Sequence, residues 1–231
     1  MRNKEATIKK ILHSANDEFT EHGFEEASIR TIARNAGITP GAIYKHFKSK
    51  EDIFKALVSP ILNHLYRRSK ELTNQAIEEI KVNGLQTFGE KSDDSNRELL
   101  KFIYQNDSIV NLLFNCSQGT EFESIRHDLV NLEVQGAKKL IEVLKEKKIE
   151  VNDLNDDELH VLYTMACTPL FEVITHRYPY NEALNFIDMM EAAMNFGWRR
   201  IIKWKHNIKL KNNKFWNRVN PDFLRFMESK Q

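Results

Sequence analysis

"TPGAIYKHFKSKEDIF", residues 39–54, decides the fold. Thr39 is an N-cap and Pro40 sits at N1, where its missing N–H costs nothing. Ile43 and Phe47, four apart, mark one buried side of a short helix. Ser49 caps the next helix, with Asp52 at N3 in a capping-box arrangement. The helix between these caps spans about two turns, too short to be stable alone, so neighbouring helices must hold it. Its outer face is left free for another task.

The flanking sequence supplies those neighbours. Ile8, Ile11, Leu12, Ala15 and Phe19 fall at helical spacing, and His22-Gly23 ends that first helix. Ser28 caps a second helix carrying Ile29, Ile32, Ala33 and Ala36, and Gly37 stops it. Residues 28–47 therefore read as helix, tight turn, helix: a helix-turn-helix. A recognition helix of this kind enters the major groove by its N-terminal residues. Thr39, Gly41, Ala42 and Lys45 are the candidates for base edges. Gly41 and Ala42 are small enough for close approach, Ala42 suits a thymine methyl, and Lys45 suits guanine O6 and N7. Tyr44 stands one position off the Ile43–Phe47 stripe and reads as a phosphate contact. His46, Ser28, Arg30, Thr31, Lys48 and Lys50 complete the phosphate candidates.

The stretch "GFEEASIRTIARNAGITPGAIYKHFKSKEDIF" (23–54) resembles the DNA-binding domain of the TetR family of bacterial transcription repressors. The matching elements are Gly23-Phe24, Ser28, Ile32-Ala33, Ala36-Gly37-Ile38, Ile43 to Phe47, Lys50 and Phe54. The likeness covers about 45 residues. It implies a homodimer on a two-fold symmetric double-stranded operator, with C-terminal helices packed as a four-helix bundle. It also implies a small-molecule effector whose binding shifts the fourth helix and respaces the two recognition helices.

The remainder of the chain reads as helices. A fourth runs from about Lys50 to Lys81 with a bend expected at Pro60. A loop covers 82–96. Helices follow over about 95–106, 108–117 and 122–147, then from an Asn155 cap to Arg177, from 181 to 205, and from 220 to 229. No strand pattern appears. The expected class is all-α: a DNA-binding domain over 1–49, a helical effector-binding and dimerisation domain over 50–205, and a basic aromatic extension over 206–231. Phe102, Tyr104, Phe114, Phe122, Tyr163 and Phe171 are the candidates for an effector pocket. Leu162, Ala166, Leu170, Met190, Ala193, Met194 and Gly197 are the candidates for the dimer face, Ala193 and Gly197 being spaced for close helix approach.

Composition bounds the alternatives. The 231 residues are 41% hydrophobic, enough to bury a core, with only 8 Gly and 5 Pro. The net charge of +1 hides a basic N-terminal 50 residues, an acidic middle and a basic end carrying 10 Lys+Arg against 2 Asp+Glu from 199 onward. Polyanion contact belongs at the ends. Cys116 and Cys167 make no disulfide framework. No signal-peptide or membrane-spanning run is evident, which leads to an expectation of the cytoplasm. HExxH, GxSxG, Walker A and a strand-borne GxGxxG are all missing, and no two of the eight His stand three or four apart. An enzyme, a metal site or a cofactor is not expected. The other reading is a helical ligand- or partner-binding protein whose helix-turn-helix does not bind DNA.

Overall fold

The computed structural model describes residues 2–85 and 92–203. Nine helices lie among them: α1 (Arg2–Glu26), α2 (Ile29–Asn35), α3 (Pro40–Ile43), α4 (Lys50–Asn83), α5 (Ser92–Gln105), α6 (Asp107–Asn115), α7 (Ile125–Glu146), α8 (Asp156–His176) and α9 (Tyr180–Ile201). The described residues contain no strand, only an isolated bridge between Val151 and Ile202. The all-α expectation holds. The 206–231 extension and part of the 82–96 loop lie outside the described residues.

The chain divides into two compact units. The first runs to Tyr66 and takes in Ile103–Asp128; the second takes Arg67–Phe102 and the chain from Leu129 on. The first unit thus gathers the early part of α4 and all of α6 with the helix-turn-helix.

In the first unit α1 supplies Ile11, Ala15 and Phe19, α2 Ile32 and Ala33, α3 Ile43, and α4 Ile53 and Phe54, all fully buried. Phe19 meets Phe54 edge-on at 5.2 Å and Phe24 meets Phe54 at 5.5 Å. Such pairs contribute about 0.5–1.5 kcal/mol beyond their buried area. Gly23 has φ 71° and ψ 174°, which breaks α1 as expected, although one further helical turn follows. After that break Phe24 N–H donates to Cys116 O at 3.0 Å, tying α1 to the end of α6.

Two local expectations change. The third helix is one turn of α-helix, not two. At Lys45 and His46 the bonds tighten to i→i+3, on Ala42 O and Ile43 O, before Phe47 N–H also reaches Ile43 O. The Ser49 cap is present, Asp52 N–H donating to Ser49 Oγ at 3.1 Å. Asp52 does not return to Ser49, however; its Oδ2 accepts Lys48 N–H at 2.9 Å. Helix α4 runs continuously through Pro60.

The core of the second unit includes Ile80 of α4, Val130, Val134, Ala137, Leu140 and Leu144 of α7, Leu159 and Tyr163 of α8, and Trp198 and Ile201 of α9. Helix α8 begins with a full capping box: Glu158 N–H donates to Asn155 Oδ1, and Asn155 N–H to Glu158 Oε2.

Candidate nucleic-acid interface

The helix-turn-helix is held by polar bonds at positions that sequence periodicity assigns to the apolar face. Ser14 and Glu18 of α1 are buried, at 4% and 5% exposure. Ser14 Oγ donates to Ile32 O at 2.9 Å. Glu18 Oε1 accepts Ser28 N–H at 2.8 Å, so a carboxylate from α1 stands at the mouth of α2. A charge-assisted bond in this position is stronger than a neutral one and complements the positive end of the helix dipole. Ser28 Oγ in turn accepts Thr31 N–H at 3.4 Å.

The turn between α2 and α3 needs Gly37, whose φ is 70°. Ile38 N–H donates back to Ala33 O at 3.0 Å. Thr39 Oγ1 accepts Ala42 N–H at 3.2 Å, so the expected cap forms. Loss of such a cap costs about 1 kcal/mol.

The free face of α3 follows from these constraints. Arg30, Thr39, Gly41, Tyr44, Lys45 and Lys48 are exposed; Ser28, Thr31, Ala42, His46 and Lys50 are half-buried. Tyr44, the C-cap of α3, leaves 55% of its surface in solvent, a large exposure for an aromatic residue. Phe47 is half-buried. Gly41 is informative because the fold does not require it. Its φ is ordinary, and a Cβ there would meet only Thr39 Oγ1, at 4.0 Å. What a bare backbone permits at Gly41 is approach from outside.

Two of the phosphate candidates have inward-facing atoms. Lys50 Nζ donates to Glu25 O at 2.8 Å and Ala27 O at 3.1 Å, and lies 4.7 Å above the Phe24 ring. It pins the α1–α2 junction to the start of α4. His46 Nδ1 is buried with no hydrogen-bond partner among the described residues, so that edge of the ring faces inward.

The matched positions agree with this geometry. Residues 11–57 match the family model "Bacterial regulatory proteins, tetR family". This stretch is similar to the DNA-binding domain of the TetR family. The regulator UidR of Escherichia coli is 40% identical over 52 residues, 22% of this chain and 26% of UidR. The regulator YdgC of Bacillus subtilis, described as uncharacterized, is 36% identical over 92 residues, 40% of this chain and 42% of YdgC. The chain thus matches between a quarter and two fifths of these two relatives' length. The crystal structure of NalD, the secondary repressor of a multidrug efflux pump in Pseudomonas aeruginosa, superposes with a TM-score of 0.54 at 19% identity, covering 88% of this chain and 100% of NalD. That likeness carries the helical fold through the C-terminal region of the chain.

The remaining candidates fall in both units. Tyr104, Phe114 and Phe122 belong to the first; Phe102, Tyr163 and Phe171 belong to the second. Phe122 lies 6.1 Å from Phe54 and extends the aromatic core beneath the helix-turn-helix. Phe114 is likewise buried. Tyr163 is buried in the second core, with Phe171 packed against it.

The close approach foreseen at Gly197 occurs inside the chain. A Cβ there would stand 2.9 Å from Leu162 Cδ1, so α9 closes directly on α8. Ala166 and Met190 are buried and Leu170 and Met194 half-buried. The side chain of Ala193 lies outside the described residues. The outward apolar residues of these helices are Val161 and Met165 of α8, each 58% exposed, and Met189 of α9, 59% exposed. Gly197 and Leu162, two of the dimer-face candidates, thus pack against each other within the chain. No helix among the described residues is long and apolar enough to cross a membrane.

Proposed function

We propose that the protein is a homodimeric, sequence-specific DNA-binding transcriptional repressor, released from a two-fold symmetric operator by a small-molecule effector. The observation that carries this reading is the outer face of α3. Gly41 is open to approach and free of internal constraint, and Tyr44 and Lys45 stand exposed beside it. A structural helix of one turn has no other use for that combination. Gly41, Ala42 and Lys45 meet base edges; Tyr44, Arg30 and Lys48 position the domain on phosphates.

Two copies are needed because one short helix reads only a half-site. Recognition helices about 34–36 Å apart fit successive major grooves on one side of the duplex. The exposed Val161, Met165 and Met189 supply an apolar surface for the second copy. An effector that binds one spacing better than the other shifts the balance between them and releases DNA. NalD, which shares the fold, is a repressor.

The test is a reporter driven from a promoter carrying the site that the protein selects. Repression by the wild type, and none by Tyr44→Ala or Lys45→Ala, is expected. Activation, or equal repression by the variants, would count against the reading.

A further inference from the structure

The outer face of α8 and α9 is acidic at its ends and apolar at its centre. On α8 the exposed positions Asp157, Val161, Met165, Thr168 and Glu172 recur at steps of three and four residues, which puts them on one stripe. On α9 the exposed Glu182, Asn185 and Met189 do the same. From Asp156 to Trp198 the sequence carries seven Asp+Glu against one Lys+Arg, Arg177. Lys138 of α7 pairs with Asp156 at 2.6 Å and Arg97 of α5 with Asp188 at 3.1 Å, so those two carboxylates are met from other helices. Glu172 has only His176, on its own helix, beside it at 3.1 Å. Helix α8 itself holds no Lys or Arg.

A two-fold symmetric dimer built on this face sets the surface against a copy of itself. Val161, Met165 and Met189 then leave water, which favours association. Asp157, Glu172 and Glu182 meet a surface of like charge, which opposes it. The missing component is basic and apolar, and the chain carries one. Residues 206–231 hold six Lys+Arg against two Asp+Glu, with Phe215, Trp216, Phe223, Leu224 and Phe226 among them. The route to the face is short. Ile202 pairs with Val151, and Lys203 N–H donates to Glu150 O at 2.9 Å, so the chain leaves the described fold beside the start of α8. At the helical rise the stripe from Asp157 to Glu172 runs about 22 Å. The 26 residues of the extension, drawn out, span up to about 86 Å, enough to follow the stripe and to reach a second copy.

We infer that residues 206–231 lie in the dimer seam, between the α8–α9 faces of two copies, with their Lys and Arg against the acidic ends of the stripes and their aromatic side chains over Val161, Met165 and Met189. This rests on the homodimer reading above and names the segment that completes its interface. Aromatic residues and Arg are the types enriched in interfaces. The positive charge of the extension is matched by an acidic surface of its own chain, which favours this use over contact with DNA phosphates.

The test is sedimentation equilibrium, without DNA, on the full chain and on a chain ending at Lys205, with circular dichroism confirming that both are folded. Removing the extension weakens the dimer roughly tenfold or more. Salt supplies a second measurement. Screening relieves repulsion between bare acidic faces, so the truncated dimer tightens as salt rises, while the full-length dimer, held in part by opposite charges, loosens. A full-length variant carrying Arg218→Glu and Arg225→Glu keeps the length and every aromatic residue, and it too dimerises more weakly; this variant keeps the test open should the truncated chain fold poorly. An unchanged or tighter dimer after truncation, or a truncated dimer that loosens with salt, would overturn the inference, whatever truncation does to DNA affinity. Should Met165→Glu abolish the dimer and truncation leave it intact, the homodimer reading stands and the seam assignment falls. A full chain that stays monomeric would overturn both.

Discussion

Glu18 Oε1 accepts the backbone N–H of Ser28 at 2.8 Å, so the first helix holds the entry of the second by a buried carboxylate. Glu18→Ala leaves that N–H without its partner, which costs about 1–3 kcal/mol. Urea unfolding will show a loss in this range, and Glu18→Gln, which keeps an acceptor, a smaller one. DNA affinity falls with stability in the Ala variant because α2 sets the position of α3.

Gly41→Ala separates folding from recognition. The position has open space and an ordinary backbone, so alanine is neutral or stabilising by up to about 1 kcal/mol. On the proposed reading, the added methyl stands where a base edge approaches. Operator affinity falls tenfold or more while thermal stability holds or rises. Unchanged affinity would show that DNA does not come close to this backbone.

The proposed self-association is expected to depend on the outward face of α8 and α9, where Val161, Met165 and Met189 are exposed. Met165→Glu places a charge on an exposed position and leaves the monomer intact. Light scattering will report a monomer with a native helical spectrum. Gly197→Leu drives a side chain into Leu162 and lowers stability instead. A dimeric Met165→Glu protein would move the interface elsewhere.

Glu133 makes stability depend on pH in a defined direction. Its folded pKa is raised above 4.5, so the native state holds this proton more tightly than the unfolded state. Its contribution is fully present below about pH 4.5 and is lost as pH rises through the folded value. Glutamine cannot ionise. The melting temperature of Glu133→Gln relative to wild type therefore increases between pH 4 and pH 8. A constant difference across that range would show that Glu133 is not desolvated.

The helix-turn-helix was legible because each of its boundaries is a local event. Ser28, Gly37, Thr39 with Pro40, and Ser49 act within four residues of themselves, and all four do as their chemistry requires. Glu18 and Ser14 were missed although a signal existed. They fall on the same helical face as Ile11, Ala15 and Phe19, and a polar residue on a core face implies a buried partner. That partner, 18 residues away for Ser14, is a tertiary fact. The bonds of Lys50 were hidden for a related reason: its ammonium reaches carbonyls 25 and 23 residues back. In α8 and α9 the small-residue spacing revealed close packing, but periodicity does not say whose helix packs there. The aromatic pocket candidates share only composition, and the fold distributes them between two units.

Selection of sites from randomised duplex DNA, at salt near physiological so that non-specific phosphate attraction is weak, tests the central claim most directly. Wild type and Tyr44→Ala run in parallel, with circular dichroism confirming that both are folded. The account predicts a two-fold symmetric site enriched by wild type, its half-sites about one helical turn apart, and no enrichment by the variant. A folded wild-type protein that enriches no sequence, or a variant that enriches the same one, would contradict it.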